Sequence, residues 1–356
     1  MLPLNSYGSY LVRKSENTTS GYALSVRDRD NVKHYKNSKL DNGELFIIAR
    51  SRFKTLQDLV IHYQQQADGL FVNLKKPCLI CTDEWQADRS GIRLIRKLIS
   101  GKSTEMWEGI WNHTTPVAVK TLKPNQSMTT DEFLQSANLM KKLQHPKLVQ
   151  LYALCSREEP VYIITELMEH GSLLDYLCDE GKSLGLPQLF RMAVQVAAGM
   201  AYLEEQNVIH RDLAARNIQV GKGVLCKVGN LELARVMDKD IYEGQEEEQI
   251  AIKWAAPEAV LHNRFSTKSD VWSFGIVLYE IITYGKPPYP GMTDAEVEQQ
   301  IQQGYCMFQP MGCPDKFYDI MLNCWQMEPV NRPTFETLQR QLALLTVKEQ
   351  WILPKH

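Results

Sequence analysis

Apolar and polar residues alternate through Tyr22-Ala23-Leu24-Ser25-Val26 and again through Val32-Lys33-His34-Tyr35-Lys36. A period of two predicts half-buried strands, one face packed and the other wet. Gly8 to Val12 reads as the start of another strand, and Leu45-Phe46-Ile47-Ile48 as a short apolar run. The period then changes. Leu56, Leu59, Val60 and Tyr63 recur at helical spacing and fall on one helical face. Residues 83–92 break the pattern: they are polar around a single tryptophan, Trp85, and read as a linker.

Beyond the linker the alternation returns. Leu94 to Leu98, Val117-Ala118-Val119-Lys120 and Tyr162-Ile163-Ile164-Thr165 read as strands. Thr129-x-x-Glu132 is a capping box, and Phe133, Ala137 and Met140 form the inward stripe of the helix it opens. Leu189 to Glu205 has helical spacing over a long run. The helix that starts at Ser269-Asp270-Val271-Trp272 is apolar nearly all round through Ile282, which predicts full burial.

Composition narrows the class. The 356 residues suggest two or three domains, and 44% hydrophobic with 23% charged content is ordinary for a globular protein. A net charge of −2 gives no reason to expect nucleic acid or an acidic membrane as partner. No apolar run reaches the ~18 residues of a membrane span. Met1-Leu2-Pro3-Leu4 does not lead into a secretory signal, and Leu2 is not the glycine that N-myristoylation requires. A cytoplasmic protein is expected. Of eight cysteines only Cys78 and Cys81 have metal-like spacing, with no second pair, so buried or free thiols are expected.

The candidate chemistry lies in Ile209-His210-Arg211-Asp212-Leu213-Ala214-Ala215-Arg216-Asn217, a loop after the long helical run. An acid stands five residues before an amide. Asp212 could take a proton from a hydroxyl, and Asn217 could hold a metal ion. This stretch resembles the catalytic loop of protein kinases, and its Ala-Ala-Arg insert resembles the tyrosine-specific branch. Phrases such as Trp107-Glu108-Gly109-Ile110-Trp111 and Ile281-Ile282-Thr283-Tyr284-Gly285-Lys286 resemble the Fyn-related and breast-tumour branch of Src-like cytoplasmic tyrosine kinases. The resemblance implies an α+β, bilobal kinase fold over 93–346, with a β-rich small lobe, an α-rich large lobe and a short tail at 347–356. It implies ATP and Mg²⁺ as cofactors and tyrosine-containing proteins as substrates.

The same resemblance assigns roles by position. Leu98, Gly101, Met106 and Ala118 would enclose the nucleotide, and Lys120 would hold its phosphates. Glu166 and Met168 belong to the hinge beside adenine, with Thr165 before them and Gln219 beneath. Asp212, Arg216 and Asn217 are the catalytic set, Asn217 and Asn230 the metal positions, and Tyr242 the activating phosphosite. Glu258 is expected to pair with Arg332, and Asp270 to bind backbone N–H groups of the catalytic loop. Trp85 is expected to pack on the small lobe.

Residues 1–82 resemble an SH2 domain from its arginine strand onward. Gly8-Ser9-Tyr10-Leu11-Val12-Arg13 matches the phosphotyrosine signature. Arg13 would grip two phosphate oxygens as a fixed fork, Ser15 would add a hydroxyl, and His34 and Lys36 would approach the ring and phosphate. Phosphotyrosine proteins are the implied partners. The first strand and helix of that family should precede Gly8, where only seven residues stand, so an N-terminally truncated and weakened domain is expected.

The nucleotide site departs from the family. Gly101 is the sole survivor of the glycines that let backbone N–H groups close over phosphate, and Ile99 and Thr104 add bulk. Ser136 stands where the helix glutamate should aim Lys120, and Glu132 is tied up in the cap. The lysine–glutamate pair is therefore expected to be absent. Asn230-Leu231-Glu232 replaces Asp-Phe-Gly, and a neutral amide is a weaker ligand for a hard dication. Glu232 is expected to lie near the metal position on a different vector. Four readings remain: an impaired SH2–pseudokinase scaffold, an active non-receptor tyrosine kinase with degraded ATP-site motifs, a folded adaptor whose output is binding, and a decaying gene copy.

Overall fold

The computed structural model describes residues 7–14, 22–28, 31–40, 43–77, 85–101, 103–123, 128–244 and 250–349. Two compact units divide the chain at Gln86 and Ala87.

In the first unit, β1 (Tyr10–Lys14), β2 (Tyr22–Asp28) and β3 (Asn31–Lys36) form an antiparallel sheet in that order. The alternation seen in sequence sets which face packs. Tyr10, Leu24 and Val26 are buried with Leu59 and Tyr63 of α1 (Leu56–Gln65), while Val12, Tyr35, Leu56 and Val60 pack around them. Thr55 caps α1 by accepting from the Asp58 N–H at 3.1 Å. Asp68 closes the unit beyond the helix. Its carboxylate accepts from Arg50, Ser51 and His62 at 2.6, 2.5 and 2.9 Å.

The second unit opens with a five-stranded antiparallel sheet. Its strands are β4 (Ile92–Ser100), β5 (Thr104–Trp111), β6 (Thr115–Leu122), β7 (Leu151–Cys155) and β8 (Tyr162–Glu166), in the order β4-β5-β6-β8-β7. The stretch read as linker is fastened to this sheet from Ala87 onward. The Ala87 N–H donates to Leu154 O at 2.8 Å, and the Arg89 guanidinium stacks on Tyr162 at 4.1 Å. Val117, Val119 and Ile164 pack on one face of the sheet with Trp107 and Trp111. Ala118 and Lys120 alternate to the other face, where Met106 registers opposite Lys120 and Thr165 opposite Ala118.

Helix α2 (Thr130–Met140) packs behind the sheet, its start fixed by the reciprocal Thr129–Glu132 capping box. Phe133 and Ala137 of its predicted stripe are fully buried. Burial of a phenylalanine on this scale contributes about 1.5–3 kcal/mol.

The large lobe is helical around one core. Within it lie α3 (Leu186–Glu205), the short antiparallel pair β9 (Ile218–Gly221) and β10 (Leu225–Val228), α4 (Thr267–Ile282) and α5 (Phe335–Glu349). Every residue of α4 from Ser269 to Ile282 is buried, as its all-round apolar sequence predicts. Arg332, itself fully buried, clamps Glu258 through two bonds of 2.6 and 2.9 Å. The described cysteines carry free thiols, and burial pushes Cys226 up to about 12. Cys78 and Cys81 lie outside the described residues. Among the described residues no helix is long and apolar enough to cross a membrane.

Candidate functional site

The loop at 209–217 is built on a buried acid. Asp270, in the first turn of α4, accepts from the N–H groups of His210 and Arg211 at 2.7 and 2.9 Å. Burial raises its pKa, while His210 and Arg211 act in the opposite direction. These bonds hold Arg211 at φ 70°, a left-handed conformation that a non-glycine residue keeps only under outside restraint. His210 is fully buried between two backbone partners. Its Nε2 faces Gly229 O at 2.9 Å and its Nδ1 accepts from the Asp212 N–H at 3.2 Å, which places the ring proton on Nε2.

Asp212 is thereby aimed into the cleft and held from both sides. Arg216 donates to its Oδ1 at 2.5 Å, and Asn217 Nδ2 donates to its Oδ2 and to its backbone carbonyl, both at 2.6 Å. Arg216 also lies over the Trp254 ring at 4.5 Å, which fixes the far side of the guanidinium.

The polar chain continues past Asn217. Asn230 Nδ2 donates to Asn217 Oδ1 at 3.0 Å, and Asn230 Oδ1 accepts from Lys120 Nζ at 3.1 Å. Asn230 sits at φ 55°, which asparagine tolerates better than most residues. Lys120 Nζ lies 2.5 Å from Glu232 Oε1, both side chains mostly buried at 17% and 20% exposure. The sequence expected no pair with a helix glutamate and a Glu232 carboxylate nearby on another vector; here that carboxylate lies against Lys120 itself. On the helix, Ser136 Oγ donates to Phe133 O at 2.9 Å, and Glu132 is held by Thr129. The carboxylate arrives instead from the turn after Asn230.

Above the cleft, the β4–β5 hairpin is tight. The Gly101 N–H donates to Thr104 O at 2.9 Å, and a Cβ on Gly101 would lie 3.2 Å from that oxygen. Lys123 fastens the hairpin to β6, its ammonium on Gly101 O and its N–H on Ser103 O. Leu98 and Met106 are half-buried on the two strands of this hairpin, and Ala118 is buried on β6.

The hinge is clamped by an ion pair that sequence reasoning missed. Lys227 of β10 reaches both carboxylate oxygens of Glu166 at 2.7 Å, and Glu166 also accepts from the Gln150 N–H at 2.8 Å. Met168 is buried against Gly221, where an added Cβ would lie 3.0 Å from its Cε. Gln219 is half-buried on β9. Farther out, Tyr242 pairs across strands with Phe265, and the Arg211 guanidinium lies over its ring at 4.7 Å.

In the first unit, Arg13 and Lys36 register opposite Ala23 from either side, so the three positions share one cross-strand row. His34 registers opposite Ser25, and its Nδ1 lies 2.8 Å from Ser25 Oγ. Ser15 lies outside the described residues.

Residues 92–342 match the family described as protein tyrosine and serine/threonine kinase, and residues 1–63 match the SH2 domain. Tyrosine-protein kinase FRK of Homo sapiens is 53% identical over 354 residues, which span 95% of this chain and 70% of that protein. Tyrosine-protein kinase SRK2 of Spongilla lacustris is 55% identical over 345 residues, spanning 94% and 95%. The chain belongs to the Src-like, SH2-bearing tyrosine-protein kinases. Protein kinases transfer phosphate from ATP with Mg²⁺, and SH2 domains bind phosphotyrosine. In this Src-like chain, the signal for the unforeseen Lys120–Glu232 contact was a charged residue where the family turn has glycine.

Proposed function

We propose that this chain is an SH2–pseudokinase: a cytoplasmic Src-like homologue whose tyrosine phosphorylation is severely impaired and whose output is binding. One observation carries the reading. Kinase chemistry uses two carboxylates beside the lysine, one to aim it and one to hold the metal between the phosphates. Among the described residues Glu232 is the carboxylate paired with Lys120, at 2.5 Å.

The donor set supports the same conclusion for Mg²⁺. At the two metal positions stand Asn217 and Asn230, neutral amides hydrogen-bonded to each other, and Asn230 Oδ1 already accepts from an ammonium. A small dication that demands hard oxygens in near-octahedral array is poorly served there. Nucleotide fits better. Lys120 offers a cation, and Thr165, just before the hinge, lies opposite Ala118 across the sheet.

The intact loop favours the second reading, an active kinase with degraded motifs. Asp212, Arg216 and Asn217 retain an arrangement able to orient a tyrosine hydroxyl and take its proton. The two readings divide on rate. Loss of one preorganised electrostatic contact costs on the order of 10²–10³ in other enzymes. We therefore expect phosphorylation of a tyrosine peptide, with Mg²⁺ or Mn²⁺, to be indistinguishable from that of Asp212→Asn. Turnover clearly above that control would establish the active enzyme.

Binding is then the remaining output. The row formed by Arg13, Ala23 and Lys36, with His34 beside it, supports phosphotyrosine recognition by the first unit. In the second unit Tyr242 lies on Arg211, a guanidinium suited to receive its phosphate were it modified.

A further inference from the structure

The turn Asn230-Leu231-Glu232 is anchored at its centre. Leu231 is buried in the large-lobe core, and its carbonyl accepts from the Ala234 N–H at 3.3 Å. With Leu231 held inward, the side chains before and after it both reach the ammonium of Lys120. An ammonium has three donors. Asn230 accepts from one of them, and the Glu232 carboxylate lies at ion-pair distance, 2.5 Å from the nitrogen.

We propose that Glu232 has taken over from the absent helix carboxylate as the positioning residue of Lys120, so that this lysine meets the phosphates of a nucleoside triphosphate without a dication. The proposal rests on reading the cleft as a nucleotide site, not on whether phosphate is transferred. Three features of the site converge on it. At the helix position where the family has its glutamate stands Ser136, bonded to Phe133 O, and Glu132 is committed to the cap. The Lys120–Glu232 pair is mostly shielded from water, where a charge-assisted contact orients more firmly than at the surface. The metal positions carry amides already bonded to one another, so the lysine is the cation left to face phosphate. The contrary arrangement, in which Glu232 neutralises Lys120 and shuts anions out, makes the opposite prediction for the same variants.

The test is equilibrium titration of the full chain with ATP in excess EDTA, with adenosine as the phosphate-free control. ATP is expected to bind at least about tenfold more tightly than adenosine. Glu232→Gln and Lys120→Met should each weaken ATP about tenfold and leave adenosine unchanged, a split that a merely structural role would not produce. Ser136→Glu combined with Glu232→Gln returns a carboxylate to the helix and should recover most of the loss. ATP no tighter than adenosine, equal or tighter ATP binding by Glu232→Gln, or parallel loss of adenosine would each overturn the proposal. Turnover is not read, so an active wild-type enzyme would leave this result standing.

Discussion

Single residues in this molecule are informative through their partners. Asp212, Arg216 and Asn217 stand within one turn of chain, so their spacing announced their arrangement. The partner of Lys120 did not. Asn230 lies 110 residues away in sequence, and nothing local to either residue encodes that contact. Asp68 is a similar case in the first unit. Hydrogen bonds from Ser51, then His62, then Arg50 pull its carboxyl down to about 2. Its folded pKa lies below the unfolded value of about 3.9, so the stability it adds is complete above that value and lost as pH falls. Hydrogen exchange of the α1 amides should be slower in wild type than in Asp68→Asn at about pH 6. That difference should shrink between about pH 4 and about pH 2. A difference that persists unchanged at the lower pH would show that the ionised network is not what holds α1.

Elements were legible where periodicity met a local signal. The Thr129–Glu132 capping box placed the start of α2, and the stripe after it named Phe133 and Ala137 as core. The apolar run of α4 predicted its burial but not its tightest contact. A Cβ at Gly275 would lie 2.5 Å from Trp325 Nε1 and 2.7 Å from Cys324 Cβ. Neither neighbour is the loose end of a flexible chain, and overpacking of this kind costs about 1–3 kcal/mol. Gly275→Ala should lower the melting temperature of the kinase unit by about 2–4 °C for each kcal/mol. An unchanged melt would mean that α4 and the helix ending at Cys324 slide apart freely. Pairing between distant elements was hidden for the same reason as Lys120–Glu232. The Lys227–Glu166 clamp joins β10 to the hinge strand, and neither pattern carries the address of the other.

For the whole molecule, the fold and the family were recoverable because kinase motifs recur in order, and because structural anchors such as Glu258–Arg332 and Asp270 sit where the chain needs them. Working capacity was less legible, since it depends on how many charges converge on the cleft. Sequence alone counted the lost helix glutamate and the lost turn aspartate as two independent deficits. In the structure Glu232 lies on Lys120 and Asn230 on Asn217, so the two substitutions meet at one place in the fold. The catalytic-loop contacts and a lysine–carboxylate pair therefore survive together, and the reading proposed above is that this site lacks one negative charge of the family arrangement.

That account is tested most directly by giving the charges back. Phosphorylation of a tyrosine peptide should be compared among wild type, Asp212→Asn, and the triple variant Ser136→Glu, Asn230→Asp and Glu232→Gly, all with Mg²⁺ and ATP. Wild type should match Asp212→Asn, and the triple variant should exceed both by about 100-fold or more. Wild-type turnover well above Asp212→Asn, with no gain in the triple variant, would contradict the account.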